Sequence, residues 1–270
     1  MKDFAGRVAV VTGAGSGFGR EFARIAAGLG MRLALADIQP QALAATADEL
    51  RAQGAQVLAE TVDVSRGADV ERLAQRTLDA FGAVHLLFNN AGVAAGGLVW
   101  EHNVKDWEWV LGVNLWGVIH GVRTFVPIML AQGDDCHVVN TASVAGLLSP
   151  QMMGIYNVSK HGVVTLTETL YQDLRVTGAR IGVSLLCPAF VPTGIAQSHR
   201  NRPESLREAA TPTASMIAAQ KASEKAVSSG RIGADAVAQQ TFEAIRENRF
   251  YVITHPKILA SVELRLQDDA

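Results

Sequence analysis

Residues 156–160 read Tyr-Asn-Val-Ser-Lys, and Ser143 lies thirteen positions upstream of the tyrosine. Residues four apart on a helix share a face, so the Lys160 ammonium can stand beside the Tyr156 phenol. A free tyrosine has a pKa of about 10 and is a poor base at neutral pH. A neighbouring positive charge favours the phenolate and lowers that pKa. A base tuned toward the working pH is what proton transfer to or from an alcohol requires. Taken alone, Tyr-x-x-x-Lys also describes a surface tyrosine near a solvated lysine. The pair gains its meaning from the elements that position it.

Those elements start near the N-terminus. Residues 7–11, Arg-Val-Ala-Val-Val, form a short apolar run rich in β-branched residues. Thr12-Gly13-Ala14-Gly15-Ser16-Gly17-Phe18-Gly19 follows, and Arg20 to Gly28 has a helical pattern. A strand, a glycine-rich turn and a helix start make a phosphate site, because glycines admit a pyrophosphate and the free N–H groups at the helix start bind it. The spacing is Gly-x-x-x-Gly-x-Gly rather than Gly-x-Gly-x-x-Gly. A second strand, Arg32 to Ala36, ends in Asp37. An acidic residue there is placed to hydrogen-bond a ribose 2′-hydroxyl. No Lys-Ser/Thr follows the glycines, which disfavours a P-loop nucleoside triphosphatase.

With these motifs in order, the chain resembles the short-chain dehydrogenase/reductase family in its single-domain branch. The matching motifs are the glycine turn at 12–19, Asn-Asn-Ala-Gly at 89–92, Asn114 within 113–117, Ser143 within 140–146, and Tyr156 with Lys160. The resemblance implies an α/β, doubly wound Rossmann fold, with a seven-stranded, mainly parallel sheet and helices on both faces. It implies one domain over 1–270 with a substrate-covering insertion at about 193–232. It also implies NAD(P)-dependent hydride transfer between a nicotinamide and a secondary alcohol or ketone. Tyr156 becomes the general acid/base, and Lys160 lowers its pKa and contacts the nicotinamide ribose. Ser143 binds the substrate oxygen, and Asn114 holds a water linking Lys160 to solvent. The other reading of Asn114 is a helix-interior side chain bonded to a backbone carbonyl.

The implied cofactor contacts are Gly13, Ser16, Gly17, Phe18, Gly19, Asp37, Ile38, Asp63, Val64, Asn90, Ala91, Gly92, Val113, Tyr156, Lys160, Pro188, Val191 and Thr193. The substrate wall is expected from Ser143, Val144, Leu147, Met152, Met153, Tyr156, Phe190 and Ile195. That wall is apolar and no Arg or Lys is clearly aimed at it, so a neutral, fairly apolar substrate is expected. NAD is expected over NADP. Asp37 would repel a 2′-phosphate, and Ser16 and Ile38 stand where NADP-preferring relatives supply a basic residue. Arg20 should turn into the first helix, and Gln39 is uncharged. The family's Pro-Gly after the sixth strand is Pro188-Ala189 here. Alanine resists positive φ, which gives the loop at Phe190 to Ile195 reason to follow a different path.

The remaining chain fits an enzyme of this kind. It has 270 residues, of which 49% are hydrophobic and 19% charged, with a formal net charge of −2. That supports a sizeable core and offers no basic patch for nucleic acid. Cys136 and Cys187 lie in apolar strand-like runs and are expected as buried free thiols. No signal peptide is evident at the N-terminus, and no membrane span is expected. A cytoplasmic enzyme is the simple reading. His85, His102 and His120 lack metal-ligand spacing, so no metal is expected. His161 is expected as a packing or surface histidine, and Trp107, Trp109 and Trp116 as core or interface residues.

Strand-like runs are Val8–Thr12, Arg32–Asp37, Val57–Asp63, Leu86–Asn89, His137–Thr141, Gly182–Cys187 and Phe250–Thr254. Helical patterns lie between them, including Gln41–Gln53, Val70–Phe81, Asp106–Ala131, Asn157–Thr177 and Asp235–Glu247. Such alternation implies a parallel sheet with right-handed crossovers. The polar stretch Thr193 to Ile232 reads as a binding loop or lid. Glycines at 112, 117 and 121 make the Asp106–Ala131 helix similar to the one that builds the family's dimer interface, so a homotetramer or homodimer is expected. Two rivals stand against the oxidoreductase. A non-catalytic dinucleotide-binding regulator could use the same fold, although it would not need Ser143, Tyr156 and Lys160 together. A dehalogenase or epimerase is disfavoured by the intact glycine turn and the short chain.

Overall fold

The computed structural model describes residues 1–207 and 211–267. In chain order its main elements are β1 (Val8–Thr12), α1 (Gly17–Gly28), β2 (Arg32–Asp37), α2 (Pro40–Ala52), β3 (Val57–Thr61), α3 (Gly67–Phe81), β4 (Leu86–Asn89), α4 (Val104–Leu111), α5 (Gly117–Gln132), β5 (Cys136–Thr141), α6 (Gly154–Val176), β6 (Ile181–Cys187), α7 (Ala214–Ser228), α8 (Ala234–Glu247), β7 (Tyr251–Ile253) and α9 (Leu259–Gln267). The strands form one sheet in the order β3-β2-β1-β4-β5-β6-β7. Every neighbouring pair is parallel.

Successive side chains of a strand point to opposite faces, and this sorts the core into two layers. Ala9 and Val11 pack on one face with Phe22 of α1, Leu50 of α2 and Phe242 of α8. Val10 packs on the other with Leu73 of α3, Phe125 of α5 and Leu170 of α6. Strands covered on both sides read as nearly continuous apolar runs, which is why β1 and β4 are buried throughout. The strand order reverses between β1 and β4. A cleft opens there, outside the carboxyl ends of the strands, as doubly wound sheets require.

Three departures from the sequence expectations matter for the site. The pattern at 106–131 is not one helix. Gly112–Trp116 widens into a π-helical turn between α4 and α5, and Asn114 sits in it. The span Val104–Gln132, 29 residues, is long and apolar enough to cross a membrane by length and composition. Here Val118, Phe125, Val126 and Met129 pack into the core clusters over the sheet. α5 also comes close to β4, where a Cβ on Gly121 would collide with the Asn89 side chain. The insertion carries a helix of its own, α7, whose first turn is capped by the Thr213 hydroxyl accepting from the Met216 N–H at 3.2 Å. The last described element is α9, which the sequence pattern did not mark.

Candidate active site

The glycine turn joins β1 to α1 in a backbone path closed to other residues. Gly13 and Gly17 have φ of +67° and +52°, a region most side chains avoid. A Cβ on Gly19 would collide with the Gly13 carbonyl. Ser16 caps α1 in an extended conformation and makes no side-chain cap bond. The first N–H groups of the helix are thereby left for an anion.

Asp37 closes the turn from the end of β2. Its Oδ2 accepts from the Gly15 N–H at 2.8 Å and its Oδ1 from the Gln39 N–H at 2.9 Å. Thr12 ties the turn to the segment after β4, since its Oγ1 accepts from the N–H groups of Asn90 at 2.9 Å and Ala91 at 3.1 Å. Free N–H groups, a cradle without Cβ atoms and a half-buried carboxylate fit a dinucleotide.

The second half of the site comes from β5 and α6. A buried chain links β4, β5 and α6: Asn89 donates to Asn140 at 2.8 Å, and Asn140 donates to Thr167 at 3.0 Å. Ser143 follows β5 and caps a short 3-10 turn, with its Oγ accepting from the Ala145 N–H at 3.1 Å. That turn sits directly on α6, where a Cβ on Gly146 would come within 2.7 Å of the Lys160 carbonyl. Ser143, Tyr156 and Lys160 are all buried and line one cleft with the glycine turn and Asp37.

Lys160 Nζ donates to the Thr141 carbonyl at 2.9 Å and lies 5.6 Å from the centroid of the Tyr156 ring. Burial pushes the Tyr156 phenol up to about 12, and a hydrogen bond with Ser143 offsets part of the rise. Burial pulls Lys160 down to about 8, with the Cys187 thiol acting in the opposite sense. Desolvation of the phenolate is the larger influence on Tyr156, and it runs against the lowering expected from Lys160.

Most residues expected at the cleft line it. On the cofactor side these are Gly13, Ser16, Gly17, Phe18, Asp37, Ile38, Asp63, Val64, Asn90, Ala91, Gly92, Val113, Pro188, Val191 and Thr193. On the substrate side they are Val144, Met153, Phe190 and Ile195. Four residues lie elsewhere. Gly19 supports the turn from behind. Leu147 packs toward the cluster of Val163 and Leu185, and its carbonyl takes a bond from Arg265 at 2.7 Å. Met152 adopts a φ of +60° and its carbonyl holds the Gly97 N–H at 2.9 Å. Asn114 is fully buried. Its Oδ1 accepts from the Val93 N–H at 2.8 Å, while its Nδ2 donates to the Val93 carbonyl at 2.9 Å and Ser159 at 3.0 Å. These bonds match the backbone-bonded reading of Asn114, which is not among the residues lining the cleft.

Ala189 has no positive φ, since Met152 and Asn248 are the non-glycine residues with one among those described. The Pro188-Ala189 loop needs no left-handed residue and holds Phe190 and Val191 at the cleft. Sequence reasoning missed Ala94, Pro150, Ser198, Asn201, Ser223 and Val227, which also line it, and gave no site role to Gln39 or Arg200, which do so too. The i,i+4 spacing of Ser223 and Val227 on one helix face was the available signal. Cys136 and Cys187 are buried free thiols. His161 packs on its own helix, with Nδ1 2.9 Å from the Asn157 carbonyl. Among the described residues no group of three or more His, Cys, Asp or Glu converges as a metal site.

Comparison with known proteins agrees with this geometry. A family profile described as short chain dehydrogenase matches residues 7–204. The chain is similar to a crystal structure of a short-chain dehydrogenase/reductase from Burkholderia phymatum in complex with NAD, with a TM-score of 0.98 and 63% identity over 99% of this chain and 95% of that one. It is 34% identical to a CLA biosynthesis dehydrogenase/reductase of Lactiplantibacillus plantarum, over 99% of this chain and 94% of that protein. It is also 34% identical to a cyclohexanol dehydrogenase of Acinetobacter sp. (strain SE19), over 70% of this chain and 75% of that protein.

Proposed function

Because the chain belongs to the short-chain dehydrogenase/reductase family, an oxidoreductase family that uses a dinucleotide, we propose that it interconverts a neutral, fairly apolar secondary alcohol and its ketone with NAD. The observation that carries this reading is the convergence of Ser143, Tyr156 and Lys160 on the cleft that the glycine turn and Asp37 enter. A bound nicotinamide supplies the hydride acceptor or donor. Tyr156 gives its proton to the ketone oxygen in reduction and takes the alcohol proton in oxidation. The Ser143 hydroxyl hydrogen-bonds the same oxygen and stabilises charge that develops there. Lys160, held by the Thr141 carbonyl, places its charge below the phenol. Asn114 acts one layer back, fixing Val93 and α6 relative to each other.

The substrate class follows from Val144, Met153, Phe190 and Ile195, which give that end of the cleft an apolar wall. The similarity to a cyclohexanol dehydrogenase supports a neutral cyclic or secondary alcohol. NAD is favoured by Asp37, and by Arg20, whose guanidinium pairs with Glu49 at 2.8 Å on the helix side and is committed there. The similarity to a structure in complex with NAD points the same way. Exposed Trp116, Leu130 and Val158 on the π turn, α5 and α6 support assembly as a homotetramer or homodimer, which light scattering at micromolar concentration tests. The functional reading is tested by kcat/KM for a panel of secondary alcohols and ketones with each cofactor. Turnover with NAD well above NADP is expected. Dinucleotide binding without turnover of any alcohol or ketone contradicts it.

A further inference from the structure

Two cations line the cleft among the described residues: Lys160 at the proton-transfer site and Arg200 in the lid. Arg200 lies near the end of the 3-10 stretch Gly194–Asn201. Its Nη1 donates to the carbonyls of Gly194 at 3.2 Å and Gln197 at 2.9 Å. These bonds hold the guanidinium in place without neutralising it. Among the described residues no carboxylate pairs with it, and its Nε and Nη2 have no hydrogen-bond partner there.

Two sets of neighbours place Arg200 along the groove. On one side, its Nη2 is 3.0 Å from the Cβ position of Gly194. Gly194 follows Thr193, whose side chain is 3.4 Å from the Cβ position of Gly17 in the glycine turn. On the other side, the next residue, Asn201, accepts a hydrogen bond from the Gln39 side-chain amide. Gln39 lies two residues beyond Asp37 and donates its N–H to that carboxylate at 2.9 Å. Arg200 therefore lies between the glycine turn and the ribose-binding carboxylate, on the lid side. A dinucleotide laid along such a groove carries its two phosphates between its two riboses. A guanidinium with an unused edge suits them, because its planar fork pairs with phosphate oxygens and stays charged.

We propose that Arg200 is a cofactor-binding residue whose free guanidinium edge pairs with the pyrophosphate of the dinucleotide, and that the Gln39–Asn201 bond fastens the lid segment carrying it. The proposal rests on the reading of the cleft as a dinucleotide site. It makes the lid a second phosphate clamp opposite the helix start, so the lid closes on cofactor as well as on substrate.

The test is calorimetric titration with ADP-ribose, which keeps the pyrophosphate and lacks the nicotinamide, alongside NADH, NADPH and adenosine. Arg200→Ala should weaken ADP-ribose, NADH and NADPH alike by about tenfold and leave adenosine unchanged. Arg200→Lys should recover part of the loss, and Asn201→Ala should show a smaller loss for the same ligands. Melting of the ligand-free variants checks that each is folded. Unchanged ADP-ribose affinity in a folded Arg200→Ala overturns the proposal. A loss confined to NADPH also overturns it, by placing Arg200 at the 2′-phosphate, and an equal loss for adenosine does so by making the effect structural. Failure of the unaltered protein to bind ADP-ribose or NADH overturns the dinucleotide reading itself, and this proposal with it.

Discussion

The cleft is held on its two sides by different means, the glycine turn by backbone geometry and the insertion by side-chain bonds. In the turn, Gly13 and Gly17 take positive φ and Gly19 has no room for a Cβ. In the insertion, Ser198 bonds the Ala94 N–H at 2.9 Å, Asn201 meets Gln39, and Arg202 pairs with Asp106 at 2.6 Å. Thr213 and Ser215 both donate to Glu101. Proteins open locally in contiguous units, so the insertion can open while the turn stays closed. The family profile ends at residue 204, inside the insertion. The glycine turn lies well inside that profile, whereas the part of the insertion that carries α7 lies beyond it.

The largest effect that separates the two sides should come from Gly19→Ala. Its methyl group would meet the Gly13 carbonyl, which is backbone and cannot swing aside. Overpacking of this kind costs about 1–3 kcal/mol, so NADH affinity should fall by about 100-fold in a fluorescence titration. Near-normal affinity would show that the turn is more yielding than its geometry implies.

Arg202→Ala should act on the lid alone. It leaves the Asp106 carboxylate buried without its cation, and removing one partner of such a pair is strongly destabilising. Arg202 retains some exposure, so about 2 kcal/mol is expected, below the range for fully buried pairs. Hydrogen exchange should rise in α7 and the 194–201 stretch and stay unchanged in β1 and α1. Equal rises in both would make cleft and lid one cooperative unit and end the comparison.

Asp37→Ala should shift the ratio of kcat/KM toward NADP by about tenfold, since it removes a like charge facing the 2′-phosphate. A ratio that does not move would take cofactor choice away from β2 and give it to the lid.

These sides also differed in how much the sequence disclosed. The bounds of β1, β2 and β4 follow from their apolar runs and their flanking Gly, Asp and Asn residues. Asp37, Ser143, Tyr156 and Lys160 sit at fixed offsets from such elements, so their placement was legible. Asn114 was harder, because the π turn at Gly112–Trp116 rotates it toward Val93, and one uniform helical period hides such a turn. Met152 and Leu147 lie near Tyr156 in sequence, yet a positive φ at one and a bond from Arg265 at the other turn them to supporting roles. Ser198, Asn201 and Arg202 fix the lid against the cleft through long-range contacts to Ala94, Gln39 and Asp106. No local pattern encodes such contacts.

The smallest effect concerns pH. Burial holds the Tyr156 phenol near 12 and Lys160 near 8, so the tyrosine is protonated at neutral pH and ready to act as an acid. Alcohol oxidation needs the phenolate, whose fraction grows as pH rises. That fraction rises about tenfold per pH unit, while loss of the Lys160 proton near 8 works against it, so kcat/KM for oxidation should climb a few-fold per pH unit above neutrality and that for ketone reduction should not. Oxidation that falls over the same range would place the base elsewhere.

The central claim is that Tyr156 moves the substrate proton in a cleft whose cofactor site is built independently of it. Single-turnover reduction of a ketone by NADH in Tyr156→Phe, with NADH affinity titrated on the same sample, tests this most directly. The rate should fall by about 10²–10⁴-fold while NADH affinity stays within about twofold, since removing one hydroxyl leaves the glycine turn and Asp37 untouched. A variant that binds NADH and still reduces the ketone at a near-normal rate contradicts the account.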